Sequence, residues 1–273
     1  MARIELPYTW LEYSETGHGE PLVLSPGLAG RSAFWSNQLA ALASRYRVIT
    51  YDHRGCGASD PAPAPVSVAT MAQDLLALLD ALGLERASVI GHSTGGAICQ
   101  HLAVHAPERL DRIVLSCSWT ARDAYMRSLF HVRKRVLESC GLDDYGTIGS
   151  LFLYPPRHLH EHPELLEPKA HPDPEAFIQT MSRRIDAILA FDCRADLGRI
   201  RVPTLVIGAV DDTLTPAYFS RELAERIPDA RLVLLPYGGH YCPVVQPARY
   251  NAALLDFLQG PAPAPQKLTV IPT

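Results

Sequence analysis

Gly91-His92-Ser93-Thr94-Gly95 has the form G-x-S-x-G, with a buried apolar run before it and a helical pattern after it. A serine at such a junction sits on a sharp, strained turn that projects its hydroxyl. The flanking glycines let two backbone segments approach with no Cβ between them. The helix start adds free N–H groups and the positive end of its dipole beside that hydroxyl. A serine hydroxyl is a weak nucleophile until a base takes its proton. His240, closing Pro236-Tyr237-Gly238-Gly239-His240, is the expected base, because two glycines on a strand-end loop can carry an imidazole to the sheet edge. An acid must then fix the imidazole's tautomer and stabilise the imidazolium. Two neighbours on an earlier loop, Asp211 and Asp212, can supply it. Charge developing on a substrate oxygen needs amide donors aimed at it. The expected oxyanion hole uses Thr94, directly after the serine, and Leu28 in Pro26-Gly27-Leu28-Ala29-Gly30.

These residues need a rigid frame. Short β-rich runs alternate with longer helical stretches, the pattern of a mostly parallel central sheet flanked by helices. Strands are expected near residues 21–25, 47–51, 87–90, 112–116, 203–208 and 231–235. Helices are expected over residues 32–44, over 68–82, and from the serine to about 105. In the second of these, Leu75, Leu78, Leu79 and Leu82 fall at helical spacing and Gly83 suits the helix end. Beyond residue 118 the pattern turns helical or irregular and rich in Arg, His and Pro. The reading is a core domain over residues 1–118 and 199–260, a helical cap over 119–198, and a disordered tail over 261–273. In the insertion Tyr125, Phe130 and Phe152 are candidates for lining a pocket or for its own core.

Taken together, these pieces resemble the α/β-hydrolase fold superfamily over essentially the whole ordered length. The matching segments are Pro26-Gly27-Leu28 with Phe34-Trp35, the run Asp52-His53-Arg54-Gly55-Cys56-Gly57-Ala58-Ser59, the serine turn, the Asp211-Asp212 loop and His240. Pro26 stands where many members carry histidine. The resemblance implies the chain order serine, acid, histidine. In related sequences the acid stands four residues before a proline, which selects Asp212 ahead of Pro216, with Asp211 in reserve. A narrower similarity, in Leu151-Phe152-Leu153-Tyr154-Pro155, Asp211-Asp212 and Pro236-Tyr237-Gly238-Gly239-His240, is to the pyrimidine-utilisation D proteins. That group implies an aminoacrylate or carbamate substrate. Ser93 implies an acyl-serine route.

The expected function is therefore serine hydrolysis of a small ester, lactone or amide/carbamate, with no cofactor and no metal. Kept beside it are C–C bond hydrolysis of ring-cleavage diketones, cofactor-free perhydrolysis, and a small-ligand receptor on the same fold. Dehalogenases and epoxide hydrolases of this fold use an aspartate where this chain has Ser93.

Bulk properties narrow the partners. The 273 residues carry a formal charge of -4, without the basic patch of a nucleic-acid binder. Arg133-Lys134-Arg135, the densest basic cluster, reads as a solvated helix face. No stretch reaches the roughly 18 apolar residues of a membrane span. The partner expected is a small-molecule substrate, with no nucleic acid, no membrane, and a homodimer left open. The six cysteines read as free buried thiols and the setting as cytoplasmic. His158, His160 and His162 alternate, but in a proline-bearing stretch that reads as a solvated loop. His101 and His105 lack the glutamate of an H-E-x-x-H metal site, and Gly55-Cys56-Gly57 lacks the third glycine of a dinucleotide fingerprint.

Overall fold

The computed structural model describes residues 1–61, 65–168, 171–260 and 269–270. Strands β1 (Ala2–Leu6), β2 (Thr9–Thr16), β3 (Glu20–Ser25), β4 (Tyr46–Tyr51), β5 (Ala87–His92), β6 (Leu110–Ser116), β7 (Thr204–Ala209), β8 (Arg231–Leu235) and β9 (Thr269–Val270) form one sheet. Its order is β1-β2-β4-β3-β5-β6-β7-β8-β9. β1 pairs with β2, and β2 with β4, antiparallel, and every other pairing is parallel.

The central strands are buried on both faces, so they read as continuous apolar runs. β7 is buried at all six positions. Side chains of successive residues go to opposite sides. Val23, Ile49, Val89 and Leu115 join the core under α2 (Val68–Ala81) and α3 (Thr94–His105). Leu24, Val48, Ile90 and Val114 join the core under α1 (Ser36–Ala43) and α10 (Pro247–Gln259). Each fully buried aliphatic side chain contributes about 1.5–3 kcal/mol.

The predicted strands and helices lie within a few residues of where the sequence placed them. The β1–β2 hairpin was not anticipated. β1 is mostly exposed, with only Leu6 buried, so it lacks the apolar run that marks an inner strand. Ser67 caps α2 through its side chain and exchanges bonds with Thr70. Gly83, at φ +67°, ends it with the Leu84 amide bonded back to the Leu79 carbonyl.

Between β6 and β7 run α4 (Ala124–Ser139), α5 (Leu142–Leu153), α6 (Pro156–Glu161) and α7 (Pro174–Ala190). Met126, Phe130, Leu137, Met181 and Ile185 pack together and continue the core from Trp119. α8 (Ala217–Arg226) and the short α9 (Cys242–Val245) complete the helices. The expected tail over 261–273 lies outside the described residues, apart from the two residues of β9.

Two readings need correction. Residues 156–161 are helix, not loop, because Pro155 and Pro156 are tolerated at a helix start. A helix brings His158 and His162 together, rings 4.4 Å apart, and separates His160 from them. The six cysteines are free, but Cys140 is exposed, at the end of α4 rather than inside it. Among the described residues no helix is long and apolar enough to cross a membrane.

Candidate active site

β5 ends at His92 and α3 begins at Thr94, which leaves Ser93 alone on the turn between them. Ser93 has φ 54° and ψ −112°, a conformation that L-residues rarely adopt. Strain of this kind persists only where the surroundings enforce it. Here they do. A Cβ on Gly91 would lie 2.1 Å from the Gly95 oxygen, and one on Gly95 would lie 2.2 Å from the Ser25 oxygen. Only glycine fits at either place. The Ser93 amide is held by the Ser116 carbonyl at 2.7 Å.

His240 follows β8 on the Gly238-Gly239 loop. Its Nδ1 donates to Asp212 Oδ2 at 2.9 Å, and both residues are buried. That bond leaves Nε2 as the ring nitrogen that can accept a proton. Asp212 is itself held. Its Oδ1 accepts from the amides of Leu214 at 2.8 Å and Thr215 at 2.9 Å. The Thr215 hydroxyl sits 2.9 Å from Asp212 Oδ2 and 3.1 Å from His240 Nδ1.

Asp211 faces elsewhere. Its carboxylate accepts from the amides of Gly239 at 2.8 Å and Gly238 at 3.2 Å. The two aspartates thus divide between the ring of His240 and the backbone that carries it. From the other side, the Tyr241 amide donates to the Leu153 carbonyl at the end of α5.

Ser93 and His240 line one cavity of about 510 Å³, together with Gly27, Leu28 and side chains of α4, α5 and α7. Among the described residues Ser93 Oγ makes no hydrogen bond, so the serine and histidine share the cavity without being joined. The amides of Leu28 and Thr94 have no backbone acceptor among the described residues. Of the three aromatic candidates, Phe130 lines this cavity, whereas Tyr125 and Phe152 do not. Tyr125 is 42% exposed and Phe152 packs against the core.

Three features were not legible as site residues. Arg184 of α7 is only 1% exposed. Its Nε donates to the Leu28 carbonyl at 2.7 Å, and its Nη2 lies 2.7 Å from His53 Nδ1. Burial, then the nearby guanidinium, hold the His53 ring well below the usual imidazole range, so it stays neutral. Arg133 corrects the solvated-face reading: it is 5% exposed and lines the cavity, while Arg135 is exposed and Lys134 pairs with Asp186 at 2.7 Å. The signal was present in the spacing. Met126, Leu129, Phe130, Arg133 and Leu137 form one buried stripe of α4, and Met181, Arg184, Ile185 and Ile188 another of α7. The third feature is His92, whose ring stacks on Phe34 at 4.5 Å and is held well below its usual range by burial, then by His240.

Cys117, Asp212 and His240 offer ligand atoms within 4.8 Å of one another. That spot suits a metal poorly. Asp212 and His240 already bond each other there. The Cys117 thiol is pushed well up by its contact with Cys242, 3.6 Å away, and by burial, which opposes the thiolate a metal needs.

A family model described as alpha/beta hydrolase fold matches residues 20–246. The chain belongs to the α/β-hydrolase family. A protein of Azorhizobium caulinodans named "Putative carbamate hydrolase RutD" is 44% identical over 249 residues, which cover 90% of this chain and 94% of that one. This places the α/β-hydrolase described here in the same family as RutD. A solved hydrolase from Pseudomonas aeruginosa superposes with a TM-score of 0.82 at 32% identity, over 95% of this chain and 98% of the other. The enol-lactonase of Burkholderia xenovorans superposes with a TM-score of 0.86 at 26% identity, over 95% and 100%. With these relatives and this fold, the α/β-hydrolase is an enzyme that hydrolyses a small substrate.

Proposed function

We propose that Ser93, His240 and Asp212 form a catalytic triad that hydrolyses a small carbamate or amide, or a related ester or lactone, through an acyl-enzyme. One observation carries this reading. A serine held at φ 54° on a helix N-terminus shares a cavity with a buried imidazole whose Nδ1 is bonded to a carboxylate. The carbamate and lactone classes are favoured by the names that the RutD and enol-lactonase relatives carry.

In this mechanism the Ser93 side chain turns toward His240 when substrate enters. His240 Nε2 takes the serine proton as Oγ attacks the carbonyl carbon. The amides of Thr94 and Leu28 donate to the resulting oxyanion. His240 passes the proton to the leaving nitrogen or oxygen. Water, deprotonated by the same imidazole, then releases the acyl group from Ser93. Asp212 keeps Nδ1 protonated throughout, so that Nε2 remains the working atom. Residues 119–198 act as the cap, whose helices close the cavity and exclude bulk water. The free thiols fit a reducing, cytoplasmic setting.

The test is turnover of short p-nitrophenyl esters and aryl carbamates by the wild type and by Ser93→Ala. The proposal expects a loss of roughly 10³-fold or more in kcat. Equal turnover by the two proteins would overturn it. Turnover of diketones but not of esters or carbamates would move the assignment to C–C hydrolysis.

A further inference from the structure

Arg133 is a buried cation that no anion pairs with among the described residues. Its Nε is enclosed and has no hydrogen-bond partner. Among the described residues the guanidinium's one polar contact is a long one, Nη2 to the Tyr145 hydroxyl at 3.5 Å. The rings of Phe130 and Tyr145 lie 5.3 and 5.4 Å from it. Burying a charge is costly unless something pairs with it. Two carboxylates, Asp143 and Glu167, also line the cavity, but both are exposed and neither forms an ion pair with Arg133. Gly149 stands beside the guanidinium, where even an added Cβ would remain 3.8 Å from Nη2. Arg133 and Gly149 both line the cavity, so a planar, two-pronged donor borders it with no side chain from Gly149 in the way. Such a fork matches a carboxylate.

We propose that Arg133 is a carboxylate-binding subsite in the cavity that also holds Ser93. The substrate would be an anion whose carboxylate is separate from the acyl group that is cleaved. This inference rests on Ser93 being the reacting residue, since that fixes the other end of the substrate. A cavity of about 510 Å³ has room for a short chain spanning both ends. Phe130 and Tyr145 flank the guanidinium and limit the water around it, which strengthens the pair.

The test is calorimetric binding to the protein carrying Ser93→Ala, chosen because the proposed triad loses its nucleophile there. The probes are the monoamides of malonic, succinic, glutaric and adipic acid, each against its neutral diamide, in 150 mM salt. At least one acid-amide is expected to bind tenfold or more tightly than its diamide. In Ser93→Ala/Arg133→Met the preference should fall below threefold. Arg133→Lys, which keeps the charge without the fork, should retain part of it. No acid-amide being preferred by the Arg133 protein would overturn the subsite, with no variant at that position needed. A preference that survives Arg133→Met would also overturn it. Because the readout is binding, the result stands whether or not Ser93→Ala abolishes ester turnover. Failure of the subsite and failure of the triad are thus told apart.

Discussion

Arg184 donates from Nε to the carbonyl oxygen of Leu28, 2.7 Å away and 156 residues earlier in the chain. The bond ties α7, between β6 and β7, to the loop whose Leu28 amide is proposed for the oxyanion hole. Fixing the Leu28 carbonyl orients the peptides on either side of it, because each peptide is a rigid plane. Loop and insertion are thereby held as one body.

Arg184→Met should separate them. The Leu28 carbonyl loses its charged donor, which costs about 1.5–3 kcal/mol of stability. The catalytic effect should fall on kcat more than on KM, since the oxyanion amide acts in the transition state rather than on bound substrate. Steady-state kinetics with urea unfolding checks both. A rise in KM with kcat unchanged would show that the loop has no part in the transition state.

Asp211 and Asp212 allow a sharper test, because they are adjacent and differ in what they hold. Asp212→Asn should lower kcat by about 10³–10⁴-fold, since an amide can favour the wrong imidazole tautomer. Asp211→Asn keeps one acceptor oxygen for the two glycine amides of the histidine loop. Its loss should stay within about tenfold, by the looser placement of His240. Kinetics of the two variants on one ester decide the matter. The reverse order would transfer the acid role to Asp211.

The glycines of the serine turn give a prediction about folding. Gly95→Ala places a Cβ about where the Ser25 carbonyl oxygen already sits. Backbone must move, and a loss above about 3 kcal/mol or failure to fold is expected. Gly146 lies within α5 with nothing within 4 Å of its added Cβ. Gly146→Ala should therefore stabilise by about 0.5–1 kcal/mol, the helix cost of glycine. Thermal unfolding of both variants compares the two.

The contrast between these glycines also shows what a sequence can and cannot reveal. Gly91 and Gly95 were readable because G-x-S-x-G after a strand names a backbone need. The inner strands were readable because burial on both faces leaves an uninterrupted apolar run. β1 was not, because an edge strand buries little. Arg133 and Arg184 were passed over because charge suggests solvent, although each sits in register with an apolar helical stripe. Only the fold shows that those stripes face a cavity and a loop instead of a closed core. Thr215 gave no signal at all, since its hydroxyl matters only once Asp212 and His240 lie on either side of it.

Stability should fall with acid in a way that reports on His53. Its ring is fully enclosed between Arg184 of α7 and Ser25 of β3, with Tyr51 beside it. Burial first, and the guanidinium second, lower its folded pKa well below the ordinary 6.5. The unfolded chain takes up a proton near 6.5 while the folded one does not. Stability is thus fully present above that pH and is lost as pH falls below it, by about 1.4 kcal/mol per pH unit for each such histidine. His92, lowered by burial and by His240, adds a second contribution of the same sign. Urea unfolding at pH 7.5, 6.5 and 5.5 should show the wild type weakening. His53→Gln, which has no proton to gain, should be less stable than the wild type at pH 7.5 but weaken with a shallower slope. Parallel slopes for the two proteins would mean that His53 takes up a proton as readily in the folded protein as in the unfolded chain, and would overturn the assignment. The bond from Arg184 to His53 Nδ1 would then have to open at no cost when the ring is charged, because a cationic ring offers no acceptor there.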